Sequence, residues 1–332
     1  MGSKTNNKLV IVILVTLLPI IAFIHLSSGA ISIGFSDFYS ALTNFDAQST
    51  NQLIIKEFRF PRLIMGIIAG GGLSVAGLLM QTLFNNPLAG PNILGINSGA
   101  SLFVAFSLMS GVPFFSSDFG TIISALLGAF AFGLLILAFS MVVKSNVSLL
   151  LIGIMLGSFT GAFVSILQAV SNPEDLKMFI MWAMGSLQQV EFSQLPIIFI
   201  FFLIGLLSCL FVVKSLNTLV LGENQALMLG IQVKYIRIFL IAITAILTGL
   251  ITAFCGPIAF VGLAVPNIVK LLFKTQSHRT LLIGSLLVGS IFLLICDIFV
   301  QLIESTIHIP INAITSIIGA PFVIIIVLKR LV

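Results

Sequence analysis

The sequence predicts an all-α membrane protein that crosses the bilayer about ten times as one domain, residues 1–332. Three observations carry that prediction. Of 332 residues, 59% are hydrophobic and only 8% are charged, whereas an ordinary soluble domain is about 25% charged. Such a chain cannot cover itself with polar groups, so its solvent is mostly lipid. Several apolar runs also reach the roughly 20 residues that a helix needs to cross the hydrocarbon core. They are continuous rather than short and alternating, and backbone groups in lipid must be bonded within the protein, so helices are expected and not a barrel. Finally, lysine and arginine divide unevenly among the loops that these runs define.

The first run, Leu9 to Leu26, follows Lys4 and Lys8 and precedes the small residues Ser27-Ser28-Gly29-Ala30. A cleaved leader would look similar, but its apolar core is usually about 7–15 residues, so a retained span is the expectation. The ten expected spans cover residues 9–28, 61–84, 93–110, 120–142, 147–170, 194–213, 235–254, 258–273, 281–303 and 313–329. The third and eighth are short and interrupted by glycine or proline, and re-entrant segments are the alternative there. With both termini inside, the inner loops and ends hold Lys4, Lys8, Lys144, Lys214, Lys234, Arg237, Lys270, Lys274, Arg279, Lys329 and Arg330. The outer loops hold only Lys56, Arg59, Arg62 and Lys177. This asymmetry predicts cytoplasmic N- and C-termini. Most acids fall outside, and Glu223 alone falls inside.

Two segments are longer than a connection between packed spans needs. Residues 29–60 form an outer segment with an expected amphipathic helix near Ser36 to Leu42. Residues 214–234 form an inner segment, which makes both candidates for docking surfaces. Between the second and third spans, residues 85–100 are polar and broken by Pro87, Gly90, Pro91 and Gly95. Asn97 and Ser98 fall just inside the next apolar run, where polar groups either line a wet path or bond between helices. Gly153, Gly157 and Gly161 repeat every four residues in the fifth span, as Gly66 and Gly70 do in the second. That spacing lets helices approach closely; a role along a path is the alternative to simple packing. Arg59 and Arg62 stand at the outer mouth of the second span, on the side that basic residues avoid, which suggests an acidic partner rather than snorkelling alone.

The sequence also excludes several classes. No lysine sits in a G-x-x-x-x-G-K-[S/T] frame, so ATP hydrolysis by this chain is not expected. His25, His278 and His308 have no metal-ligand spacing. Cys209, Cys255 and Cys296 all lie in apolar runs and read as small buried hydrophobes. No cofactor, metal or catalytic residue is expected. The net charge of +5 is scattered at loop ends and forms no nucleic-acid patch.

Residues 249–274, containing Gly256-Pro257-Ile258-Ala259-Phe260-Val261-Gly262-Leu263 and Val265-Pro266, break one apolar run sharply. Together with several other blocks, in order, they resemble the permeases of ABC importers for iron chelates, haem and cobalamin. Arg59-Phe60-Pro61-Arg62 is similar to that family's R-L-P-R. Gly77-Leu78-Leu79-Met80-Gln81, Asn86 to Pro91 and Leu94 to Ala100 resemble its G-x-x-x-Q, N-P-L-A-x-P and L-G-x-S-S-G-A blocks. Leu221, Gly222, Glu223, Ala226, Leu229 and Gly230 resemble its L-G-E-x-x-A-x-x-L-G segment, and Ile318 to Pro321 its C-terminal block.

The resemblance implies ten helices per subunit and a second permease subunit, as homodimer or heterodimer. It further implies two ABC ATPase subunits below and a periplasmic or lipid-anchored substrate-binding protein above, in a bacterial inner (plasma) membrane. Residues 221–230 would couple to the ATPase. Arg59 and Arg62 would dock the binding protein, an encounter in which rim charges set rate and register. Asn146 and Val147 would belong to the inner gate, and the helix ending Trp182-Ala183-Met184-Gly185-Ser186 would flank the outer one. The chain departs from the family at Gln301, Asn267 and His308, where arginine, histidine and glutamate are usual. The implied activity is import of a ferric siderophore, with haem or cobalamin as alternative cargo. A secondary transporter driven by an ion gradient, with Asp297 as its clearest ionisable candidate, is the rival class.

Overall fold

The computed structural model describes residues 7–29, 40, 46, 48–109, 117–143, 145–304 and 309–331. Among them are twelve α-helices and no strand: α1 Asn7–Ser27, α2 Thr50–Leu83, α3 Ile96–Met109, α4 Asp118–Val142, α5 Asn146–Val170, α6 Pro173–Ala183, α7 Leu195–Leu219, α8 Glu223–Met228, α9 Val233–Cys255, α10 Val261–Phe273, α11 His278–Ile303 and α12 Ile311–Leu331. Seven are long and apolar enough to cross a membrane, and α3, α10 and α12 are shorter apolar helices. These ten correspond one to one with the expected spans, while α6 and α8 lie at opposite ends of the bundle. The amphipathic stretch expected near Ser36 to Leu42 lies outside the described residues except for Ser40, as do Lys144 and His308.

The axis of the bundle is α2. Some 89% of its most apolar stretch is buried inside the molecule, against 17% for α1 and α5. The outer helices α1 and α7 turn side chains such as Val12, Ile20, Leu210 and Phe211 outward, as expected where the surroundings are lipid. α2 packs on α7, α9, α10 and α11, while α3 and α4 pair beside α9. Glycines permit the closest approaches. A Cβ at Gly70 would overlap the Gly289 carbonyl, and one at Gly77 the Gly262 carbonyl. Side-chain-free faces let these backbones touch.

α2 starts at Thr50, well before the proline that marks its expected beginning. Pro61 has no N–H, and its ring crowds the turn before it. Residues Ile55–Arg59 form a π-helical turn just ahead of Pro61, and this widened turn carries the helix past the proline instead of ending it.

At roughly 1.5 Å per residue, the 14 residues of α3 and the 13 of α10 each reach only about two-thirds of a 30 Å hydrocarbon core. Irregular segments complete both crossings, one between Leu83 and Ile96 and one between Cys255 and Val261. The first segment is seated on α10: a Cβ at Gly262 would strike Pro91, and Asn267 Nδ2 donates to the Pro87 carbonyl at 2.8 Å. This departure from the family's histidine therefore satisfies a backbone acceptor in one break from a helix that follows the other.

The second break is held open by Gly256 at φ +70° and Phe260 at φ +65°. Two of its free backbone groups are met by one side chain. Asn312 Oδ1 accepts from the Ala259 N–H at 2.8 Å, and Asn312 Nδ2 donates to the Pro257 carbonyl at 2.6 Å. Asn312→Ala is expected to cost about 1–3 kcal/mol, because both groups lose their partner at depth. Thermal unfolding in detergent checks this; an unchanged midpoint would mean that water replaces the amide.

Candidate functional site

Among the described residues, one polar cluster stands at each end of the bundle, with the two irregular segments between. The upper one is built by α1, α2 and α11. Arg62 grips Asp297 with two parallel bonds, Nε to Oδ2 at 2.7 Å and Nη2 to Oδ1 at 2.9 Å. Its Nη1 reaches Glu304 at 3.1 Å. His25 Nε2 lies 2.7 Å from Asp297 Oδ2, and Gln301 Nε2 donates to the same oxygen at 3.1 Å. Gln188 donates to Glu304. Asp297 is 1% exposed and His25 1% exposed, so this is an interior ion pair roofed by a partly open one. A cavity of about 360 Å³ above it is lined by His25, Arg59, Arg62, Gln188, Gln301 and Glu304.

Arg62 was expected to face an outside acid, but the structure gives it two carboxylates of its own chain. A buried guanidinium needs a bidentate partner to offset its desolvation, and Asp297 supplies one. Gln301 is the same kind of case: the amide in place of the family's arginine serves Asp297. Arg59 is half-buried beside the cavity and donates from Nη1 to the Leu26 carbonyl at 2.5 Å.

In the middle of the bundle, Asn97 is buried and spans two elements. Its Nδ2 donates to Asn92 Oδ1 at 2.8 Å, and its Oδ1 accepts from Thr252 Oγ1 at 2.9 Å. Ser98 is half-buried and faces Gly157, whose Cβ would lie 3.3 Å from Ser98 Oγ. Gly153 passes under the Ile93 carbonyl, where a Cβ would overlap it, yet no atom lies within 4 Å of the same point on Gly161. The glycine stripe thus serves close packing for its first two members and faces open space at the third. Gly185, at φ +75°, adopts a conformation that favours glycine and lies against the Cys255 and Pro257 carbonyls; Ser186 N donates to the Cys255 carbonyl at 2.8 Å. The end of α6 therefore rests on the break before α10.

The lower cluster gathers around α8. Gly222 at φ +107° and Gly230 at φ +81° open and close this six-residue helix. Ala226 is buried beneath it, while Leu221, Leu227, Met228 and Leu229 are 56%, 57%, 88% and 65% exposed. Glu223, the one acid expected inside, is paired within the chain by Arg237, Nη2 to Oε1 at 2.7 Å. Arg237 is 6% exposed, and its Nη1 also donates to the Val143 carbonyl at 2.9 Å. Asn146 Nδ2 donates both to Glu223 Oε1 at 3.1 Å and to the Leu83 carbonyl at 2.9 Å. Val147 points away and is 69% exposed. Arg237 escaped the sequence reading because it sits one turn into an apolar helix and was counted only as a loop-end charge. Cys209, Cys255 and Cys296 are all free and buried.

Ten apolar helices, two of them half-length and completed by glycine- and proline-rich breaks, with polar clusters confined to the ends and a buried asparagine between, define a polytopic membrane permease. The chain belongs to the FecCD transport family, whose profile matches residues 17–329. It is 32% identical to the hemin transport system permease protein HmuU of Yersinia pestis, covering 99% of this chain and 98% of that one. It is 33% identical to the iron(3+)-hydroxamate import system permease protein FhuG of Bacillus subtilis (strain 168), covering 99% of each. Among solved structures it is similar to a metal-chelate type ABC transporter in an inward-facing conformation, with a TM-score of 0.85, 31% identity and coverage of 97% of this chain and 99% of that one.

Proposed function

We propose that this chain is the permease subunit of an ATP-driven importer for ferric siderophores in the bacterial inner (plasma) membrane. It works as a dimer, with two copies of a separate ABC ATPase seated below and a substrate-binding protein docked above. The observation that carries this reading is α8. A short helix held off the bundle by two left-handed glycines presents Leu221, Leu227, Met228 and Leu229 to the outside. A clustered apolar face of this kind marks a protein contact, and this one lies where the family resemblance places the ATPase.

The rest follows from the same arrangement. Lys214, Lys234, Lys270, Lys274 and Arg279 lie near the α8 end of their spans, which supports a cytoplasmic α8 and cytoplasmic termini. The upper cavity with Arg59 and Arg62 then faces the binding protein. Arg62 meets that partner only where Glu304 yields, because Asp297 and Glu304 already occupy it. The path runs between the two permease subunits, with Asn97, Ser98, Gly153, Gly157 and Gly161 as its candidate lining and Asn146, Val147 and Gly185 near its two ends. The exposed apolar face of α5 supports a second copy as its partner. ATP binding closes the ATPase pair, α8 passes that motion into the bundle, and the path opens to one side at a time. A ferric chelate as cargo is supported by the likeness to FhuG; haem is the second reading, favoured by the likeness to HmuU.

Uptake by proteoliposomes containing the permease, its ATPase and its binding protein tests this, with a radiolabelled ferric hydroxamate, haem and cobalamin supplied in turn. Uptake of the hydroxamate is expected to require ATP and to survive collapse of the ion gradients. Uptake that continues without ATP and stops when the gradient collapses would establish an ion-coupled carrier instead.

A further inference from the structure

The carboxylate of Glu223 joins three parts of the molecule at one oxygen. Oε1 accepts from Arg237 Nη2 on α9 and from Asn146 Nδ2 at the first residue of α5. Each donor also holds a carbonyl at the end of a span. Arg237 Nη1 bonds Val143 at the end of α4, and Asn146 Nδ2 bonds Leu83 at the end of α2. The first residue of α8 is thereby tied to α2, α4, α5 and α9 through two side chains. The exposed residues of α8 make no comparable link, and Gly222 and Gly230 have open space around the points where a Cβ would stand. Among the described residues, these two side chains form a polar route from α8 into the bundle, and it includes both sides of the turn between α4 and α5.

We propose that Arg237 and Asn146 are positioning residues that make α8 and the α4–α5 turn move as one body, so that displacement of α8 is delivered to the lower end of α5. This rests on the permease reading above and adds the connection within it. Arg237 is suited to the task because a planar guanidinium can serve a carboxylate and a carbonyl at once, which a lysine ammonium does only with loss of geometry. The ion pair is one-sided in burial, with Arg237 buried and Glu223 about a third exposed. The bundle thus retains the cation while the carboxylate travels with α8.

The test uses the whole importer in proteoliposomes and reads three quantities together: retention of the ATPase subunit, hydrolysis of ATP, and substrate imported per ATP. Arg237→Met and Asn146→Ala are expected to keep the ATPase bound and hydrolysing while import per ATP falls about tenfold. The double variant is expected to be little worse than either single one, as residues of one unit are not additive. Arg237→Lys should fall between. Unchanged import per ATP in both single variants would overturn the proposal. Should Arg237→Met fail to insert, the pair Asn146→Cys/Glu223→Cys, bridged by a short cleavable thiol reagent, decides: import per ATP at least equal to that of the unbridged pair supports a single moving body, and lower import overturns it. Absence of ATP-dependent uptake by the wild-type importer would instead sink the permease reading itself, and the connection with it.

Discussion

Asp297→Ala is expected to destabilise the folded permease by about 3–5 kcal/mol, the usual cost of removing one partner from a buried ion pair. The mechanism is specific. Asp297 satisfies two guanidinium bonds of Arg62 and one ring nitrogen of His25, and it is 1% exposed itself. Without it Arg62 keeps only Glu304, and His25 Nε2 and Gln301 Nε2, 3.0 Å apart, keep only each other. Three helices, α1, α2 and α11, lose the group that fastens them together. Asp297→Asn keeps one acceptor oxygen and should cost less. Chemical unfolding in detergent micelles measures both. A loss within about 0.5 kcal/mol, the range of an ordinary surface change, would mean that the cluster does not hold these helices.

Gly77→Val is expected to abolish the folded permease. The added carbon would fall on the Gly262 carbonyl, which is backbone and cannot turn aside. Overpacking that side chains can relieve costs about 1–3 kcal/mol; here α2 and α10 must separate, and the loss exceeds that range. Gly161→Val is the matched control, because nothing lies within 4 Å of its Cβ position. Size-exclusion profiles of detergent extracts separate the two. A monodisperse peak for Gly77→Val would show that α10 can shift without loss of the fold.

The contrast between these glycines shows where sequence reading succeeds and where it stops. Ten spans and their order were legible because lipid imposes long apolar runs, and the weak third and eighth spans were marked by their own glycines and prolines. The partnerships were not legible. Arg62 and Asp297 are 235 positions apart, and nothing in either neighbourhood says that they meet. Arg59 and Arg62 share a motif and a helix turn, yet one is locked between two acids and the other reaches a backbone carbonyl beside the cavity. Glu223 and Arg237 were both placed on the inner side, but nothing in either neighbourhood says that they pair. Gly153 and Gly161 follow one spacing rule, but only three-dimensional neighbours decide which is indispensable. The start of α2 was placed late because Pro61 reads as a beginning until the π-helical turn before it is seen.

The two half-helices also govern how the chain can be made. Asn97 at the head of α3 waits for Thr252, synthesised 155 residues later, and Pro87 waits for Asn267, 180 residues later. Until then, the Pro87 carbonyl and the Asn97 side-chain oxygen lack the partners they have in the folded bundle, and unpaired polar groups are costly in hydrocarbon. Release of the first half of the nascent protein into lipid span by span would leave both groups unpaired, so insertion of this permease is expected to be completed only after α9 and α10 have emerged.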